Sequence, residues 1–221
     1  MTVAPTTIVK IGTQFEVNTQ TAGGQWYPTV TGLANGGFVV TWQDGLASSN
    51  GSGSGTLGDN SFSSIKAQIY AADGTEVGSE FLVNTQTTGG QANPTITSLS
   101  TGGFVVTWQD QNSNSGDIKA QVYTANGTPS GSELTINSVT ALNQNGPTIT
   151  ALSGGGFVAA WTSSASSGAP DIKAQVYNSV GLKVGSELLV NTTSINYDQE
   201  RASISTLSNG DFVVTWNDFR T

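Results

Sequence analysis

The sequence predicts an all-β protein, a β-propeller of four blades whose last blade is closed by both chain ends. Three observations carry this. The phrase "FVVTW" ends at Trp42, Trp108 and Trp216, and its variant "FVAAW" ends at Trp161, so one unit recurs at separations of 66, 53 and 55 residues. Each copy reads as four short strands rich in β-branched and aromatic residues, bounded by Gly, Asn, Asp or Ser. No window sustains the 3.6-residue period of a helix.

The elements follow in order within one copy. "EFLVNT" (80–85), "PTITSL" (94–99), "GFVVTWQD" (103–110) and "DIKAQVY" (117–123) are the four strands. "STGG" joins the second to the third as a tight hairpin, and "ANG" or "ADG" follows the fourth as a turn. Phe104, Val106 and Trp108 lie on one face of the third strand and Val105 and Thr107 on the other, so both faces are covered. Thr95 and Thr97 alternate with Ile96 in the second strand, which suits a crowded place near an axis. Four-stranded units with both faces buried describe propeller blades. A β-solenoid, or a segment of a larger propeller, is the alternative. Separate sandwiches are disfavoured because about 53 residues make a poor independent core.

The whole chain, 1–221, reads as one repeat domain. Its units span about 15–80, 81–133, 134–187 and 188–221, the last completed by residues 1–14 and the strand 15–19. "DIKAQVY" has no copy after Trp216, and the extended stretch Thr6–Ile11 is the expected substitute. Closing the ring in this way removes exposed strand edges.

Composition narrows the chemistry. Only 10% of residues are charged, against about 25% in an ordinary domain. The net charge of −8 opposes nucleic acid, whose binding rests on Lys and Arg contacts to phosphate. There is no Cys and no His, which removes disulfides, thiolate metal sites and the commonest general base. No apolar run of about 18 residues is present to span a membrane. "MTVAPTTIVK" lacks the basic and apolar regions of a signal peptide. The absence of Cys and His, with abundant Gly, Thr, Asn and Ser, fits a bacterial extracellular repeat protein.

The unit "GGFVVTWQD…DIKAQVY…GSEFLVNT" resembles repeats of large secreted bacterial proteins of the RTX and adhesin type, over about residues 12–218. The resemblance implies secretion or display at the cell surface. It also implies calcium-binding nonapeptides, but no "GGxGxDxLx" run occurs in this sequence.

Candidate residues fall into groups. Trp42, Trp108, Trp161 and Trp216 share one repeat position and read as packing between blades, or as sugar-stacking platforms. Gln25, Gln91, Gln144 and Gln199 recur just before the second strand. They either brace a loop or face a ligand in the channel. Asp44, Asp110 and Asp218 follow the Trp, and Asp117 and Asp171 open the fourth strand. These are candidate calcium ligands, with Asx-turns the plainer reading. Lys66, Lys119 and Lys173 are expected to pair with Glu80, Glu133 and Glu187 across each blade. The first copy departs from the others in the long Gly/Ser-rich stretch 45–62 and in Trp26-Tyr27, an aromatic pair suited to a ligand.

The expected function is a non-enzymatic extracellular adhesion or structural module. A lectin-like propeller and the subunit of a β-augmented filament are the alternatives. Partners are a glycan or cell-surface protein, or a second copy through unpaired strands. Catalysis is disfavoured because the acids recur identically in every unit, whereas an enzyme needs one asymmetric site.

Overall fold

The computed structural model describes residues 12–21, 23–45, 62–111, 115–164, 169–192 and 197–219. Every element among them is a strand. The first unit holds β1 (Gln25–Gly32), β2 (Phe38–Gly45), β3 (Ser63–Tyr70) and β4 (Glu76–Leu82). The second holds β5 (Gly90–Ser98), β6 (Phe104–Gln111), β7 (Asp117–Tyr123) and β8 (Leu134–Thr135). The third holds β9 (Gln144–Ala151), β10 (Phe157–Ser163), β11 (Asp171–Tyr177) and β12 (Lys183–Leu189). β13 (Gln199–Thr206) and β14 (Phe212–Asp218) form a two-stranded fourth unit.

Each unit is an antiparallel meander, and a single parallel bridge, Ser63 to Gly90, joins the first sheet to the second. "VNT" therefore closes a sheet rather than opening one. β8 is short because "GTPSG" puts Pro129, which has no N–H to donate, where β4 and β12 are already paired.

The first strands of the units stand side by side: β1 against β5, β5 against β9, and β9 against β13. Their threonines bridge unit to unit. Thr31 Oγ1 accepts the Ser98 amide at 3.1 Å, and the Thr150 and Thr206 hydroxyls lie 3.2 Å apart. The far ends of these inner strands surround a cavity of about 510 Å³ lined by Leu33, Ser98, Ser100, Ser153 and Thr206.

The cores lie between units. Val39, Ile65, Ala67 and Ile69 of the first pack on Phe104, Val106, Trp108 and Tyr123 of the second. Val105, Ile118, Ala120 and Val122 of the second pack on Phe157, Ala159, Trp161 and Tyr177 of the third. Both faces of β6 and β10 are thus buried by neighbouring sheets, as the doubly apolar sequence requires. At about 25 cal/mol per Å² of apolar area, these contacts are the main stabilising contribution.

The segments at Val17, Val83 and Ile136 clasp the first, second and third units in turn. The hydroxyls of Tyr70, Tyr123 and Tyr177 donate to the carbonyls of Val17, Val83 and Ile136 at 3.0–3.1 Å. Glu80, Glu133 and Glu187 accept the backbone amides of Thr19, Thr85 and Ser138 at 2.8 Å. Residues 13–18 take part in this clasp without forming a strand.

One part of the expected closure is not formed among the described residues: 15–19 is not a strand of the last unit. The Phe15 ring packs at a tilt against Tyr70 of the first unit, and among the described residues β14 pairs only with β13. β1 and β13 make no contact comparable to those between the other inner strands. The reason is that Phe15, Val17 and Thr19 satisfy the clasp of the first unit, where "VNT" of a preceding blade would sit. Thr6–Ile11 and most of the long stretch 45–62 lie outside the described residues.

Candidate functional site

Each inner strand is broken at the same place near its start. The register slips between Trp26 and Thr29, between Ala92 and Thr95, between Glu200 and Ser203, and opposite Ala160 and Thr162 in β9. The bulged residue is in the left-handed region in all four units: Tyr27 (φ 52°), Asn93 (φ 53°), Gly146 (φ 58°) and Arg201 (φ 57°). Pro28, Pro94 and Pro147 follow it in three units. The missing proline N–H is harmless there because the ladder is already interrupted. Bulges of this kind re-aim side chains at strand ends.

The four positions differ chemically. Tyr27 is 61% exposed, Asn93 is half-buried and Arg201 is exposed. Asn93 also joins two units. Its backbone amide donates to Gln43 Oε1 of the first at 3.3 Å, and its side-chain Nδ2 donates to Gln109 Oε1 at 3.2 Å. Glu200, half-buried, precedes Arg201 and is the carboxylate carried by the inner strands. Trp26 is half-buried and folds over Gly24, where a Cβ would meet its ring at 2.3 Å.

The recurrent glutamines are turned inward. Gln91, Gln144 and Gln199 are buried. Gln25 and Gln91 donate to Asp44 and Asp110 at 3.0 and 3.2 Å. In the third and fourth units the glutamine oxygen instead accepts the indole N–H, of Trp161 at 2.8 Å and of Trp216 at 2.6 Å. Their polar atoms are committed to the blade, the bracing role among the two that the sequence allowed.

The aspartates are committed as well. Asp44 meets Lys66 Nζ at 2.5 Å, and the same ammonium lies 3.2 Å from Glu80. All three are buried. Asp117 and Asp171 accept Asn137 and Asn191 side-chain amides at 2.7 and 2.9 Å. Asp218 is itself engaged. No group of three acids able to hold a metal occurs among the described residues, so the calcium expectation gains no support. The Lys–Glu pairing recurs between Lys173 and Glu187 at 3.8 Å, whereas Lys119 donates to Thr135 Oγ1 at 2.9 Å. Burial pushes the Asp110 carboxyl above its ordinary range. It does the same to the Tyr70, Tyr123 and Tyr177 phenols, with nearby glutamates adding to it.

No protein-family model matches the chain, and no curated protein matches it. Solved structures do. An endo-arabinase from Bacteroides thetaiotaomicron is similar at a TM-score of 0.55 and 15% identity, over 91% of this chain and 74% of that one. A protein of unknown function from Dyadobacter fermentans is similar at 0.59 and 13%, over 88% and 62%. A GH43 protein from Bacillus licheniformis is similar at 0.50 and 14%, over 88% and 37%. The fold is a β-propeller. This chain spans only part of the length of each of these three structures.

These likenesses overturn the expectation of a non-enzymatic adhesion module. The physical ground for that expectation was the identical repetition of the acids. The repeated acids brace the blades and the contacts between them, and the units differ from one another instead at the bulge residues Tyr27, Asn93, Gly146 and Arg201. Sequence reasoning singled out Tyr27 but passed over Asn93, Glu200 and Arg201. The Pro at 28, 94 and 147 was the available signal, since proline inside an inner strand implies a break.

Proposed function

We propose that this chain is a carbohydrate-processing β-propeller whose polysaccharide substrate is seated at the bulged end of the inner strands. The observation that carries the reading is the asymmetric set of side chains held at four equivalent bulges. The likeness to an endo-arabinase and to a GH43 protein supports it. So does the composition. With no His and no Cys, proton transfer falls to carboxylates, and glycoside hydrolysis commonly uses a pair of them. Glu200 is the inner-strand carboxylate and takes the acid–base role, while Tyr27 and Trp26 offer apolar ring faces to sugar. A polysaccharide is too large to enter a cell, so action outside a bacterium, secreted or at its surface, belongs to the same proposal. The resemblance of the repeat to RTX and adhesin-type units supports export.

The test is release of reducing ends from arabinan and xylan, with binding measured by calorimetry. Glu200→Gln is expected to lower turnover by about 100-fold or more while leaving binding in place. Tyr27→Ala is expected to weaken binding about tenfold. Neither hydrolysis nor binding with any oligosaccharide tried would overturn the reading.

A further inference from the structure

The bulge positions carry information beyond their place. A left-handed conformation is strained for a residue with a Cβ and free of strain for glycine. Gly146 shows that this fold accommodates glycine there. Tyr27, Asn93 and Arg201 nevertheless keep side chains. Asn is the residue that tolerates the conformation best, and its side-chain amide is used within its own unit, donating to Gln109. Tyr and Arg have no such excuse, and both are exposed.

Arg201 stands out further by charge. The chain has seven cations against fifteen acids. Lys66 and Lys173 are paired with carboxylates, and Lys119 and Lys183 lie against hydroxyls. Arg201 has no ion pair among the described residues, although Glu200 adjoins it and Asp198 lies nearby in sequence. A guanidinium presents a planar fork of donors that matches a carboxylate.

We propose that Arg201 reads one carboxylate on an otherwise neutral sugar chain: a single uronic acid residue bound at the bulged end. The net charge of −8 selects this over a polyuronate. Such a surface repels a string of like charges, whereas one carboxylate meets a local fork. The inference rests on the proposed polysaccharide site and specifies its chemistry.

The experiment compares a neutral xylo-oligosaccharide, the same oligosaccharide with one glucuronic acid branch, and the methyl ester of that branch. Binding is measured by calorimetry at two salt concentrations. The acid form is expected to bind about tenfold more tightly than the other two, less so at high salt. Arg201→Gln is expected to bring the ratio to one, and Arg201→Lys to an intermediate value. Arg201→Gly serves as the control for folding. It relaxes the backbone, so its Tm is expected to equal or exceed that of the native chain while the acid preference is lost. Equal affinity for acid and neutral forms, with neutral binding intact, overturns this inference and leaves the polysaccharide reading standing. Absence of neutral binding would sink that reading instead. An acid preference that survives in Arg201→Gly also overturns the inference.

Discussion

The second and fourth units share "FVVTW", yet Trp108 is 1% exposed while Trp216 is only partly buried, as are Phe212 and Val214. The strands are alike in sequence and in pairing to their inner neighbours. What differs is the company. β6 has β7 beyond it and a neighbouring sheet on each face. Among the described residues β14 has β13 and one neighbouring sheet, through Val158, Ala160 and Ala174. Burial in a propeller is thus a property of the contact between blades, and a blade's own sequence secures only half of it. The first way to break the comparison is Trp108→Ala, expected to cost about 3–5 kcal/mol. Trp216→Ala is expected to cost clearly less, because less surface leaves water there. Urea unfolding of both variants checks this, and equal losses would contradict it.

The ion pairs offer a second contrast. Lys66 is sealed between Asp44 and Glu80, whereas Lys173 is 27% exposed and 3.8 Å from its glutamate. Lys66→Met leaves two buried carboxylates without their cation and is expected to cost about 3 kcal/mol. Lys173→Met is expected to cost under about 1 kcal/mol. Unfolding at low and high salt separates them: the Lys66 loss should hardly change, because a buried pair is poorly screened.

Much of this was legible in the residues. "FVVTW" with apolar positions on both faces required covered sheets, and "GG" and "NG" pairs placed the hairpins. The placement of 15–19 against the first unit was not legible, because how blades meet is set by side chains across units, such as Ile65 with Trp108, and no local pattern encodes it. The candidate site was half legible. Tyr27 stood out as an aromatic among polar equivalents, but Arg201 read as one more substitution until its backbone conformation was known. The glutamines stayed open to two readings for a definite reason: a repeated polar residue can brace a blade as readily as bind a ligand, and the partners of Gln91 and Gln144 are what favour bracing.

A third contrast lies in the hairpin glycines. A Cβ on Gly37, Gly103 or Gly156 would meet the carbonyl of Tyr70, Tyr123 or Tyr177 at 2.4, 2.1 or 2.0 Å. The fourth unit has Asp211 at this position, and among the described residues no third strand lies beside it. Gly103→Ala is therefore expected to cost about 2 kcal/mol through the backbone shift it forces. Asp211→Gly is expected to change stability by only a few tenths, the level of an exposed loop substitution. Thermal melts of the pair would refute the steric account if Gly103→Ala were silent.

The smallest effect concerns two aspartates at one repeat position. Asp44 has Lys66 at 2.5 Å, whereas Asp110 has the neutral Gln91 amide at 3.2 Å. Burial raises the Asp110 carboxyl above its ordinary value. The folded state therefore holds this proton to higher pH than the unfolded chain does. The stability contributed by the protonated form is fully present below the unfolded value, and it is lost as pH rises through the folded one. At pH 7 the native chain carries the whole penalty of a buried charge. Asp110→Asn removes that charge and keeps an oxygen for Gln91. The variant is expected to melt up to about 2 °C higher than the native chain at pH 7, with the gain fading as pH falls through the raised folded value and gone below about 4, the unfolded value. Asp44→Asn is expected to go the other way at pH 7, since it strips Lys66 of its nearest counter-ion. Parallel melts of both variants between pH 3.5 and 7 read the two signs directly, and a destabilised Asp110→Asn at pH 7 would show that its carboxylate, like that of Asp44, is held by charge rather than merely tolerated.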